Sequence, residues 1–251
     1  MKFRILVGAM AGALAMAANL GAAAQSVSPA IAAAVADPGR PAKDTALDAA
    51  RKPAELLALI GLTAGERVAD VFPGAYWDRL FSKVVGPTGK VFDFLPTEII
   101  KVGDAPEPVK GAPALEGYAN VSQTVAPVNA FSTPEPVDVV WIRQNYHDLY
   151  DPFMGPADVP AFNKAVLKAL KRGGLYVIID HAAPDGSGLA ATNTTHRIDA
   201  AVVKKDMAAA GFVFVGESEV LRNPADTRDK LVFDPAIRFH TDQFVYLFRK
   251  P

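Results

Sequence analysis

The chain has 251 residues, 50% of them hydrophobic and 21% charged, with a formal net charge of −1. That balance suits one globular domain with a sizeable core, and the lack of a basic excess argues against nucleic acid as a partner. Cysteine is absent, which excludes disulfides, thiolate zinc sites and a cysteine nucleophile.

Lys2 and Arg4 precede an Ala-rich apolar run over 5–20, and Ala22-Ala23-Ala24 stands before Gln25. This is the pattern of an export signal over 1–24, cleaved after Ala24, and it predicts a periplasmic or secreted protein with no membrane anchor after cleavage. The run is too short and too rich in Ala and Gly for a spanning helix. Residues 25–45, rich in Ala and Pro with little periodicity, read as a flexible arm, and 46–251 as the folded domain.

Pro53 opens a helix that Gly61 ends, with Leu56, Leu57, Leu59 and Ile60 on its apolar face. A strand follows over 67–72, a break at Pro73-Gly74, an amphipathic helix over 77–85 and a second strand over 91–95. This crossover is followed by a short helix over 97–102, a Pro/Gly-rich loop and a third strand near 121–125. Residues 137–142 are continuously apolar, as in a strand buried on both faces, and deliver Gln144-Asn145-Tyr146-His147-Asp148 to the strand's C-terminal end. A helix over 159–170, closed by Lys171-Arg172-Gly173-Gly174, leads to a strand over 175–179 that ends in Asp180-His181. A helix over about 198–210 and β-rich runs over 212–221 and 243–248 complete the chain. The alternation predicts an α/β fold with a doubly wound, mostly parallel sheet of about seven strands.

Two places carry chemistry. The strand–turn–helix around Asp70, Phe72, Pro73, Gly74, Ala75 and Tyr76 has the form of a nucleotide cradle, because Gly74 lets a ligand approach where a Cβ would obstruct it. Asp70 would floor that cradle or simply brace the turn, and Tyr76 and Trp77 would flank a ligand or pack beneath the sheet. The cluster Asn145, Tyr146, His147 and Asp148 combines an amide, a phenol, an imidazole and a carboxylate where open α/β sheets bind ligands. His181, His196 and Arg197 lie at neighbouring strand and helix ends, and converge there as substrate-binding candidates. A metal site is the chemical rival to this reading. Without a close His pair on one helix, no metal ligands are assigned. Ser187 lacks the flanking glycines of a nucleophile elbow.

The stretch VFPGAYWDRL over 71–80, the block opening DVVWIRQNYHDLYDPF over 138–183 and the tail opening HRIDAAVVKKDMAAAGF over 196–251 resemble class I methyltransferases. More narrowly they resemble a family of predicted exported bacterial methyltransferases. The resemblance implies a Rossmann-like seven-stranded sheet whose last strand is inserted antiparallel, with S-adenosylmethionine as cofactor. It also implies methyl transfer to a small molecule by a monomer or weak homo-oligomer. An acidic residue at the end of the second strand binds the ribose in such enzymes; Leu95 holds the aligned position, so Asp93 or Glu98 would substitute. The glycine loop departs from the family pattern, since Ala75-Tyr76 lacks its second glycine. The alternative is a non-catalytic small-ligand-binding module on the same scaffold.

Overall fold

The computed structural model describes residues 26–102, 115–155 and 157–251; the expected signal segment and its cleavage point lie outside them. In chain order the elements are α1 (Pro29–Val35), α2 (Ala42–Thr45), α3 (Asp48–Arg51), α4 (Pro53–Ile60), β1 (Arg67–Val71), α5 (Tyr76–Val85), β2 (Lys90–Pro96), α6 (Thr97–Val102), β3 (Val121–Ala126), β4 (Val137–Arg143), α7 (Val159–Ala169), β5 (Leu170–His181), α8 (Thr192–Thr195), α9 (Ala200–Ala210), β6 (Val213–Ser218) and β7 (Gln243–Arg249). Single 3-10 turns lie at Val128–Ala130, His147–Tyr150 and Pro152–Met154. No helix among the described residues is long and apolar enough to cross a membrane.

The seven strands form one sheet in the order β3-β2-β1-β4-β5-β7-β6. Strands β1 to β5 pair in parallel, and β7 is inserted antiparallel between β5 and β6. Alternation along each central strand feeds two cores. Ala69, Val140, Ile142 and Ile178 face the layer of α7 and α9, whereas Val68, Val139, Trp141 and Val177 face α1, α4 and α5. The sheet is therefore covered on both faces, which explains why its strands read as continuous apolar runs. The order reverses between β1 and β4, and the crevice at their C-terminal ends is where doubly wound sheets take ligands.

Two expectations are corrected. The segment expected to be a flexible arm is helical and packed: Ser28 caps α1 by accepting from the Ile31 amide at 3.3 Å, and Ile31 and Ala34 are buried in the core with α5. Ala is the strongest helix former, and one Ile with small neighbours suffices for a narrow buried face, so the segment shows weak periodicity without being disordered. Arg40 locks its end through paired bonds of 2.7 and 2.8 Å to Asp48. The second correction concerns Lys171-Arg172-Gly173-Gly174, which begin β5 rather than close α7. Gly174 is needed there because a Cβ would meet the Asp138 carbonyl oxygen at 2.9 Å, beside an irregularity in the β4–β5 pairing.

Candidate active site

A cavity of about 410 Å³ opens over the C-terminal ends of β1, β4 and β5, within the range of small-ligand sites. One end is built by the turn after β1. Phe72 and Ala75 both adopt left-handed backbone conformations, with φ of 62° and 61°, on either side of Pro73-Gly74. A non-glycine residue held so costs roughly 1–3 kcal/mol, and such strain gathers at ligand sites. The turn thus reaches its shape without the second glycine. A Cβ on Gly74 would meet nothing within 4 Å, so its flank is open to the cavity it lines.

Beneath the turn, Asp70 stands in register with Asp93 on the neighbouring strand. Burial, then the charges of Asp78 and Asp93, push the Asp70 carboxyl well above the carboxylate range. Burial, then Asp78, pushes Asp93 up to about 9. Asp70 lines the cavity; Asp93 is buried, off it, and so is not placed to bind a ribose. Nor is Glu98, which accepts the Val128 amide at 3.1 Å and braces the Val128–Ala130 turn; Ile99 lines the cavity in its place. Pro73 and Ala75 are also absent from the lining. The Ala75 amide, expected to meet a ligand, donates instead to Asp78 at 2.7 Å. Tyr76 walls the hollow without filling it, its hydroxyl donating to Asp48 at 2.6 Å and its ring lying 4.3 Å from the Arg51 guanidinium.

Arg51 and Arg143, which the sequence reading passed over, bring two cations to this end. Neither forms an ion pair among the described residues. Arg143 bonds only to the amide oxygens of Gln144 and Gln243, and its Nε has no partner. Burial, then repulsion from Arg51, pulls Arg143 down to about 9. Two guanidinium groups lining one end of a cavity, neither in a salt bridge, form a place for a ligand's anion. The position of Arg143, last in a buried strand and just before the polar cluster, was the available signal.

At the other end lie Asn145, His147, Asp148, His181 and His196. The 3-10 turn after β4 turns His147 inward, where Nδ1 meets Asp180 Oδ1 at 2.8 Å and the His147 amide donates to Asp180 Oδ2 at 2.8 Å. Burial opposes a charge on His147, but the Asp180 charge and the hydrogen bonds to Asp148 and Asp180 outweigh it and hold the group up at about 10. Its Nε2 lies 3.2 Å from Asp148 Oδ1 and 3.3 Å from His196 Nδ1. Asn145 donates to the other Asp148 oxygen at 2.7 Å. Burial opposes the Asp148 charge too, yet hydrogen bonds from His147 and His196 hold that carboxyl well below its usual range. His181 bonds Thr241 at 2.7 Å, and burial, then the charges of His147 and Arg143, keep it well below its ordinary value.

Two candidates do not join this group. Tyr146 is fully buried in the core beside α7 and α9, donating to Asp206 at 3.0 Å and accepting from Asn163 at 2.8 Å. Arg197 is likewise fully buried, paired with Asp226 at 2.9 and 3.1 Å. It anchors the connection 219–242, which lacks helix or strand and carries Val232 and Phe233 to the cavity wall.

No family model matches the chain, and no curated protein matches its sequence. Solved structures do match in fold. A SAM-dependent methyltransferase from Aquifex aeolicus is 19% identical, with 84% of this chain and 99% of that chain covered and a TM-score of 0.50. A chain of the complex between the Haloferax volcanii Trm112 methyltransferase activator and a methyltransferase is 14% identical, with 90% and 100% covered and a TM-score of 0.53. The 4+2 cyclase SpnF is 14% identical, with 84% and 82% covered and a TM-score of 0.53. The fold is therefore the Rossmann-like fold of class I methyltransferases, as expected. The cyclase, with the same fold and another named activity, leaves the chemistry to the site.

Proposed function

We propose that this protein binds S-adenosylmethionine at the Gly74 end of the cavity and transfers its methyl group to a small-molecule acceptor at the His147 end. The observation that carries the reading is the continuous cavity joining the open flank of Gly74 to the His147 imidazole across the sheet's switch point. The residues present fit the cofactor. Gly74 admits it close to the backbone, Arg51 and Arg143 suit its carboxylate, and Asp70, whose carboxyl burial pushes well above the carboxylate range, lies on the floor of the same end. The cofactor supplies a methyl group already activated on a sulfonium, so the protein's work is to hold acceptor and donor in line and exclude water. Asn145, His147 and Asp148 orient the acceptor, and Phe233 shields the mouth beside His196, 5.2 Å away between ring centres.

Calorimetric titration of the purified protein with S-adenosylmethionine and S-adenosylhomocysteine tests the reading. Saturable binding of both supports it, and no heat at high ligand concentration would leave a ligand-binding scaffold of another kind. We also propose export, on the strength of residues 1–24, with the same small-molecule acceptor met outside the cytoplasm. Mass spectrometry of the protein from a periplasmic extract would then show Gln25 at its N-terminus, and a cytoplasmic protein keeping residues 1–24 would refute it.

A further inference from the structure

We propose that His147, Asp148, Asp151 and His196 form a binding site for a divalent cation of the zinc class. The site lies beyond the methyl-transfer reading and stands without it. One donor atom from each residue lies within 4.8 Å of all the others. The two ring nitrogens, His147 Nε2 and His196 Nδ1, are 3.3 Å apart, and Asp148 Oδ1 lies 3.2 and 3.6 Å from them. Four ligands placed tetrahedrally at about 2.0–2.1 Å from zinc are separated by about 3.3 Å, so three of the four atoms already hold that spacing.

Asp151 provides the independent observation. It is 3% exposed, and neither carboxylate oxygen has a hydrogen-bond partner. The neighbouring Thr192 hydroxyl bonds the Leu189 carbonyl instead, at 3.3 Å. No lysine or arginine pairs with Asp148 or Asp151 among the described residues; their charged neighbours are His147 and His196. A carboxylate buried in this state is strongly unfavourable unless a cation or a proton neutralises it.

The supporting contacts are those metal ligands need. Asp180 fixes the His147 ring through Nδ1, leaving Nε2 toward the cluster, and Asn145 holds the second Asp148 oxygen. His196 is presented by a left-handed backbone, φ 54°, and keeps part of its ring exposed to the cavity, which opens a way in. Two imidazoles beside two carboxylates suit zinc and its transition-metal neighbours rather than magnesium or calcium, which prefer all-oxygen shells.

The test is a zinc titration of the chelator-stripped protein, followed by calorimetry and elemental analysis, without any S-adenosyl ligand, so that its failure is separate from failure of the methyl-transfer reading. One equivalent of zinc should bind and raise the melting temperature. Loss of a group that only supports a ligand costs about 10- to 100-fold in metal affinity, so Asp151→Asn and His196→Ala, which remove ligands, should each weaken binding by at least that much, with folding checked by circular dichroism. His240→Ala, at an exposed position, should leave it unchanged. No bound zinc, or binding that survives both site substitutions, would overturn the proposal; loss in His240→Ala alone would mark an adventitious surface ion.

Discussion

Nδ1 of His147 lies 2.8 Å from Oδ1 of Asp180, and the second oxygen of the same carboxylate accepts the His147 backbone amide at 2.8 Å. One buried carboxylate thus sets both the backbone and the ring of the residue that faces the cavity, and its charge helps hold the imidazole up at about 10, so that near neutral pH Nδ1 donates to Asp180 and Nε2 to Asp148. Asp180→Asn should keep the fold but lower the pKa of the His147 ring, because it removes the largest charge that holds the imidazolium. The measurement is the imidazole nitrogen chemical shifts followed with pH. An unchanged titration would show that Asp180 does not hold the charge on the ring.

Gly74 separates a steric role from a structural one. With open space around its missing Cβ and no left-handed φ, Gly74→Ala should change stability by less than about 0.5 kcal/mol. Gly74→Leu should be equally well folded yet fill the cavity, abolishing S-adenosylhomocysteine binding in calorimetry. Normal binding by the Leu variant would place the cofactor elsewhere.

Arg143 is half-buried and forms no ion pair among the described residues, so replacing it breaks no salt bridge. Arg143→Met should leave stability equal or higher, while weakening S-adenosylhomocysteine about 10- to 100-fold, the worth of a charged hydrogen bond. Binding of 5′-methylthioadenosine, which has no carboxylate, should be untouched. Equal losses for both ligands would place the guanidinium away from the carboxylate.

The Asp93 carboxyl, held up at about 9 by burial and by Asp78, ionises near 4 in the unfolded chain. Between those values the folded protein carries the extra proton, so its contribution is complete below about pH 4 and is lost as pH rises through 9. Stability should fall across that window by about 1.4 kcal/mol per pH unit for one such group. Asp93→Asn should flatten the slope in urea denaturation between about pH 5 and 8. A slope unchanged by the substitution would mean Asp93 is ionised in the fold.

Much of this architecture was legible from the chain because local pattern and burial coincide. The apolar run ending at Arg143 is a central strand, and the polar residues after it do reach the crevice. Tyr146 was misplaced because its ring is buried in the core beside α7 and α9 and bonded to Asp206 and Asn163, while His147 next to it reaches the cavity, a choice that adjacency cannot reveal. Asp93 shares the strand side expected of a ribose ligand, yet Asp78, arriving with the helix after the turn, encloses it. Asp151 shows no pattern of its own; only the fold brings it to His196, forty-five positions away in the numbering.

Arg197 carries the same lesson to a test. Its guanidinium is fully buried, bonds both oxygens of Asp226, and donates to the carbonyls of Ala182 and Lys230. Its partner is likewise buried, and accepts the Asp242 amide at 2.7 Å, so the pair ties the connection 219–242 to the end of β5. Removing one member strands a buried charge, and Arg197→Met should cost about 3–5 kcal/mol. Adding Asp226→Leu should restore part of the loss, because the pair itself contributes little beyond balancing its own desolvation. A substrate-binding arginine would behave differently: the single variant would unfold at the same denaturant concentration as the parent and lose only ligand affinity.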